Sequence, residues 1–144
     1  MATIAVDRVI AADPTSTALL LAGPTAFDLW PGVTRVAPGL VDAVLAGRAA
    51  RVRVRARPPR RLPTSYVTRF EFAGDGLPET TGTVTLSYAA SPDLPVATAA
   101  TVALTWEPAG GAGERARVAA AFRAMAGGFV ANLAEAAEAR ADAA

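Results

Sequence analysis

The sequence predicts an α+β fold: a curved antiparallel sheet of six or seven strands wrapped around a long C-terminal helix, with two short helices after the first strand. Three observations carry this. Between residues 33 and 107, apolar and polar residues alternate in short runs separated by turn signals, as in an antiparallel meander. From Val118 to Ala136, apolar residues recur every three or four positions, as on one face of a helix. Asp13-Pro14 and Gly23-Pro24 punctuate the stretch between the first strand and the meander.

Residues 3–12 read as a strand, with Ile4, Val6 and Ile10 on one face, Thr3, Ala5 and Asp7 on the other, and Arg8 breaking the inward set near a rim. Asp13 is suited to cap a helix that Pro14 begins and that runs to about Ala22. A second short helix ends near Trp30, and Pro31-Gly32 forms a turn. Short strands follow at Val33–Ala37 and Leu40–Ala46, then a turn at Gly47. Ala49–Arg57 alternates, with Val52, Val54 and Ala56 facing one way and Arg51, Arg53, Arg55 and Arg57 the other, until Pro58-Pro59 ends it. Ser65–Ala73 places Tyr66, Thr68, Phe70 and Phe72 together, and Gly74-Asp75-Gly76 turns the chain. Thr81–Ala90 aligns Gly82, Val84, Leu86 and Tyr88; after a turn at 91–93, Val96–Glu107 aligns Val102, Leu104 and Trp106. The closing helix runs from Glu114 to about Arg140, with a frayed tail expected beyond. Its stripe is Val118, Phe122, Met125, Phe129, Leu133 and Ala136, and the sheet's apolar face is the one large surface to receive it.

Composition excludes several chemistries. Hydrophobic residues make up 52% and charged residues 19%, a globular balance. Net charge is +1, which asks for neither nucleic acid nor an anionic membrane. Without Cys there is no thiolate or disulfide, and without His no imidazole triad or metal ligand. Every one of the 14 basic residues is Arg, so there is no lysine for a Schiff base. Catalysis would fall to Asp, Glu, Tyr, Arg, hydroxyls or backbone amides; no metal site and no cofactor is expected. No apolar run approaches the roughly 20 residues of a membrane span, so stable membrane insertion is not expected. The opening Met1-Ala2-Thr3-Ile4 does not read as a leader, and a cytoplasmic protein is expected.

Three segments resemble the START-like SRPBCC superfamily, which includes polyketide cyclase/dehydrase and lipid-transport proteins. Val6-Asp7-Arg8-Val9-Ile10-Ala11-Ala12-Asp13-Pro14 looks like its first strand entering its first helix. Phe27-Asp28-Leu29-Trp30-Pro31-Gly32-Val33 looks like its aromatic-Pro-Gly segment, and Phe122 to Leu133 like its closing helix. The resemblance implies one START-like SRPBCC domain over 1–144, a helix-grip fold and a deep cavity between sheet and helix. It further implies a hydrophobic small-molecule ligand, a lipid, polyketide or similar, and in some members a cyclisation or aromatisation. No position matches a reaction-specific motif.

Within that fold the candidate ligand-binding residues are Trp30, Tyr66, Phe70, Tyr88, Trp106, Met125, Gly128 and Phe129. Each inward aromatic is equally read as plain core, since core and pocket share one wall. Gly127 and Gly128 each cost about 1 kcal/mol relative to Ala in a helix. Gly128 is expected to leave room for a ligand or to let sheet and helix approach closely. Polar candidates near a pocket are Tyr66, Tyr88, Asp28 and Asn132; no spacing fixes a catalytic pair. Asp28 also reads as a capping residue, and Arg69 with Glu71 as a surface pair of little energetic worth. The stripe of Arg51, Arg53, Arg55 and Arg57 with Arg60 and Arg61 reads as a solvated outer face; the sharper alternative is a surface for an acidic carrier protein. Two functions stay open: carriage of a hydrophobic molecule, and a cofactor-free polyketide cyclase, dehydratase or aromatase.

Overall fold

A computed structural model describes residues 1–45, 47–74, 76–89, 93 and 96–143. Its strands are β1 (Ala2–Ile10), β2 (Val33–Ala37), β3 (Leu40–Leu45), β4 (Arg48–Ala56), β5 (Arg60–Arg61), β6 (Ser65–Gly74), β7 (Leu77–Ala89) and β8 (Ala97–Trp106). They form one curved antiparallel sheet in the order β1-β8-β7-β6-β4-β3-β2. Two α-helices complete the fold: α1 (Pro14–Leu19) and the long α2 (Ala112–Ala143). Between α1 and β2 lies a 3-10 helix, Pro24–Leu29.

The period-2 patterns became strands as read. In β8, buried residues alternate from Thr98 to Trp106, and Val102 and Leu104 are fully buried. The sequence reading falls short at several ends. The sheet has eight strands, not six or seven, because the chain stays extended past Pro58-Pro59 and pairs Arg60 with Val67 and Arg61 with Tyr66. Two residues carry no periodicity, so β5 leaves no pattern. β4 and β5 thus share one edge of β6, interrupted at 57–59. β7 starts at Leu77 rather than Thr81, since Leu77 already pairs with Gly74. Pro78 falls in the bulge between that pair and Phe72–Thr80, where a strand tolerates a residue without an N–H. Ala46, Asp75 and most of the turn expected at 91–93 lie outside the described residues.

Asp13 caps α1: its carboxylate accepts from the Ser16 N–H at 3.0 Å. Hydrogen bonds from Ser16, side chain first and backbone second, hold the Asp13 carboxyl below its ordinary value. α1 stops at Leu19 instead of reaching Ala22, and the second short helix is of the tighter 3-10 kind. Asp28 does not cap it; the N-cap is Gly23, and Asp28 is exposed.

α2 begins two residues earlier than expected and remains helical through Ala143, past the expected fraying point. It buries Phe122, Met125, Phe129 and Leu133 as the stripe requires; at its far end Ala137 is buried in place of Ala136. Spacings of 3.6 residues per turn drift across a face defined by threes and fours. The helix packs on β1 and β8, and the Ala11 N–H donates to Glu138 Oε1 at 3.1 Å. No described helix is long and apolar enough to cross a membrane.

The two helix glycines separate cleanly. A Cβ at Gly127 would meet nothing within 4 Å, whereas one at Gly128 would lie 2.7 Å from Pro31 Cγ. Gly127→Ala is therefore expected to raise stability by about 0.5–1 kcal/mol through helix propensity alone. Urea denaturation checks this; a lowered midpoint would mean that the Gly127 site is not free to accept a methyl group.

On the outer sheet face Arg51, Arg53 and Arg55 are exposed, with Arg57, Arg60 and Arg61 beyond them. Arg51 pairs with Asp42 at 3.0 Å, which lowers the Asp42 carboxyl and raises the guanidinium. Arg69 and Glu71, expected as a pair, form no ion pair; the register sets Glu71 opposite Arg55 instead.

Candidate functional site

The concave face of the sheet, α2 and the 3-10 helix enclose a cavity of about 290 Å³. That volume falls just short of the roughly 300–1,000 Å³ usual for small-molecule sites. Strands β3 and β4 supply its aliphatic floor through Val41, Ala43, Val52 and Val54, while β6 adds Thr68, Phe70 and Phe72. Met125 and Phe129 of α2 form the roof. Leu21 and Phe27 lie on one side, and Arg57 and Pro58 border the cavity where β4 gives way to β5.

An aromatic chain runs through this wall. Trp30 stacks on Phe129 with ring centroids 4.1 Å apart and meets Phe70 edge-on at 5.4 Å. Phe70 continues to Phe72 at 6.3 Å, and Phe72 to Phe122 at 5.8 Å. Trp106 closes the series edge-on against Phe122 at 4.8 Å. Gly82 explains how Phe70 fits. A Cβ there would lie 2.1 Å from Phe70 Cζ, so the ring rests directly on the β7 backbone. A glycine inside a strand pattern is the sequence signal of such an approach.

Of the eight residues proposed from sequence, Trp30, Phe70, Met125 and Phe129 line this cavity. The other four lie elsewhere. Tyr66 shares the inward parity, but its hydroxyl is 2.9 Å from Thr15 Oγ1, tying β6 to α1. Tyr88 is 68% exposed, on a stretch of β7 that has run past the first residue of β6. Trp106 is buried in the core against Phe122. Gly128 faces Pro31, so its missing side chain serves close packing rather than cavity space. Among the polar candidates, Asn132 donates to the Leu29 carbonyl at 2.8 Å and so braces α2 against the 3-10 helix.

Sequence reasoning overlooked Phe72, Thr68, Phe27 and Arg57. Parity already put Phe72 and Thr68 on the inward face. Arg57 belongs to the outward set by parity and is exposed; it borders the cavity only because β4 ends there, just before Pro58-Pro59.

Solved structures match this architecture along nearly the whole chain. A START superfamily protein from Mycobacterium smegmatis superposes with a TM-score of 0.64 at 14% identity, covering 94% of this chain and 97% of that one. The fold is START-like. The protein TTHA0849 from Thermus thermophilus shares this START-like fold with a TM-score of 0.69 at 16% identity, over 96% of this chain and 99% of that one. The Zhui aromatase/cyclase from a Streptomyces species matches with 0.68 at 14% identity, over 97% and 95%. No protein-family model and no curated protein matches the sequence. At these identities the likeness speaks for the START-like fold alone.

Proposed function

We propose that this protein binds and carries a hydrophobic small molecule, a lipid, polyketide or similar, in the cavity beneath α2. One observation carries the reading: the cavity is walled by aliphatic and aromatic side chains, with Trp30, Phe70 and Phe129 as rigid flat surfaces. Burial of an apolar ligand against them is favourable by about 25 cal/mol per Å² removed from water. Conversion of the ligand would call for a proton donor or acceptor within reach of the reacting atom. Among the described lining residues there is no Asp, Glu or Tyr, which favours carriage over a dehydratase role or one of the aromatase/cyclase kind named for the Zhui protein.

Titration with the neutral probe N-phenyl-1-naphthylamine tests this. The probe should bind saturably at one site and alter emission from Trp30, which lines the cavity, while Trp106 sits apart in the core. Met125→Trp should fill the roof and weaken the probe about tenfold, or 1.4 kcal/mol, with a cooperative thermal transition retained. Absence of saturable binding, or unchanged affinity in a folded Met125→Trp variant, would overturn the assignment.

A further inference from the structure

We infer, resting on the carriage reading above, that the occupant is a slender single-chain amphiphile longer than the cavity, which passes between Leu45 and Leu77 and leaves its polar end in a second cleft. That cleft, of about 250 Å³, lies under the N-terminal half of α2. Along β4 it is lined by Arg48, Ala49 and Ala50, where the cavity is lined by Val52, Val54 and Ala56. Along α2 it takes Val118, Ala121 and Phe122, where the cavity takes Met125 and Phe129. Cleft and cavity therefore lie end to end beneath one helix. Neither alone reaches the roughly 300 Å³ at which small-molecule sites usually begin, whereas together they fall inside that range.

The partition between them consists of few side chains. Among the described lining residues, Leu45 of β3 and Leu77 of β7 border both spaces. Phe72 lines the cavity and Phe122 the cleft, and these two rings meet edge-on at 5.8 Å. Phe122 is held from behind by Trp106, whereas Leu77 is only partly buried and can turn to another staggered rotamer. A gap opened by a leucine admits an extended chain but not a fused ring system. The two ends also differ in chemistry. The cavity presents aliphatic and aromatic walls, while the cleft adds the exposed Arg48 and an ion pair between Arg117 and Glu114 at 2.9 Å. A polar group keeps water and charged neighbours in the cleft, and would lose its water in the cavity at a cost. The tail therefore points to Phe129 and the polar end to Arg48.

Octanol, dodecanol and hexadecanol test this when each displaces N-phenyl-1-naphthylamine from the whole chain. Affinity should rise by at least about tenfold at each step of the series, hexadecanol included, since every added methylene is still buried. The α,ω-diol of hexadecane should bind at least about tenfold more weakly than hexadecanol, because one hydroxyl must enter the apolar cavity. Ala121→Trp, which fills the cleft, should weaken hexadecanol about tenfold and octanol far less. Hexadecanol no tighter than dodecanol, a diol that binds as tightly as the alcohol, or a folded Ala121→Trp variant that weakens both alcohols equally would overturn the spanning occupant. Should that variant not fold, the parent's length series still decides. If the neutral probe and octanol bind but added length gains nothing, carriage stands and the spanning occupant falls. If neither the probe nor any alcohol binds, the carriage reading itself fails.

Discussion

Phe122→Ala is expected to cost about 3–5 kcal/mol, the range for removing a large aromatic from a core that cannot close around the gap. Phe122 is 1% exposed and meets Phe72 and Trp106 edge-on from α2. Both partners belong to strands in the interior of the hydrogen-bonded sheet, so neither can move far to fill the space. Met125, one turn onward, lines an existing cavity and is 8% exposed. Met125→Ala should therefore fall near the bottom of the roughly 2–5 kcal/mol range for such truncations. Urea denaturation of the two variants checks the contrast. Equal losses would mean that the seam around Phe122 relaxes as readily as the cavity roof.

Gly128→Leu is expected to destabilise the protein by about 3 kcal/mol, the upper end for forcing bulk into a packed site. Even a methyl group would approach Pro31 Cγ to 2.7 Å, closer than carbon atoms pack, and a proline ring has little freedom to retreat. Longer side chains must push α2 away from the turn after Trp30, and Trp30 stacks on Phe129 in that same contact. The damage should spread to the cavity wall. Gly128→Ala sets a gain of about 1 kcal/mol in helix propensity against the same close approach, so it should come out near neutral. Thermal melts of both variants beside Gly127→Ala provide the check. A Gly128→Leu variant as stable as the parent would show that the Pro31 contact yields easily.

Much of the architecture was legible because alternation and helical spacing are direct imprints of burial. Val52 and Val54, Thr68, Phe70 and Phe72, and Val102, Leu104 and Trp106 all face inward as their parity requires. Parity tells the side of a sheet but not the depth along it. Tyr88 and Trp106 were both placed on the correct face, yet one stands in solvent and the other in the sealed core. Which stretch of a face lies under α2 depends on crossing geometry and register, and these are set by contacts remote in the chain. Arg57 shows another limit: it keeps the outward pattern of Arg51, Arg53 and Arg55 and is exposed, yet it stands where β4 ends, on the cavity's border. Gly128 shows how one residue type supports two readings, since an absent side chain makes room equally for a ligand or for Pro31, and spacing alone does not say which.

The sheet order has a consequence for how the molecule assembles. Strands β2 through β4, and β6 through β8, pair with neighbours in the chain, each closing a short loop. β1 instead finds its one sheet partner in β8, with Ala2 opposite Trp106. Its pairing closes most of the chain into a single loop, and α2, which must settle on β1 and β8, follows later still in the sequence. Ile4 and Ile10 gain their burial only once that distant strand is in place. Proteins dominated by such remote pairings search slowly for the native arrangement, over milliseconds to seconds rather than microseconds. The entropy lost in bringing the first strand to the last thus belongs to the folding barrier, and the apolar inner face of the meander must stay unshielded until the long helix closes over it.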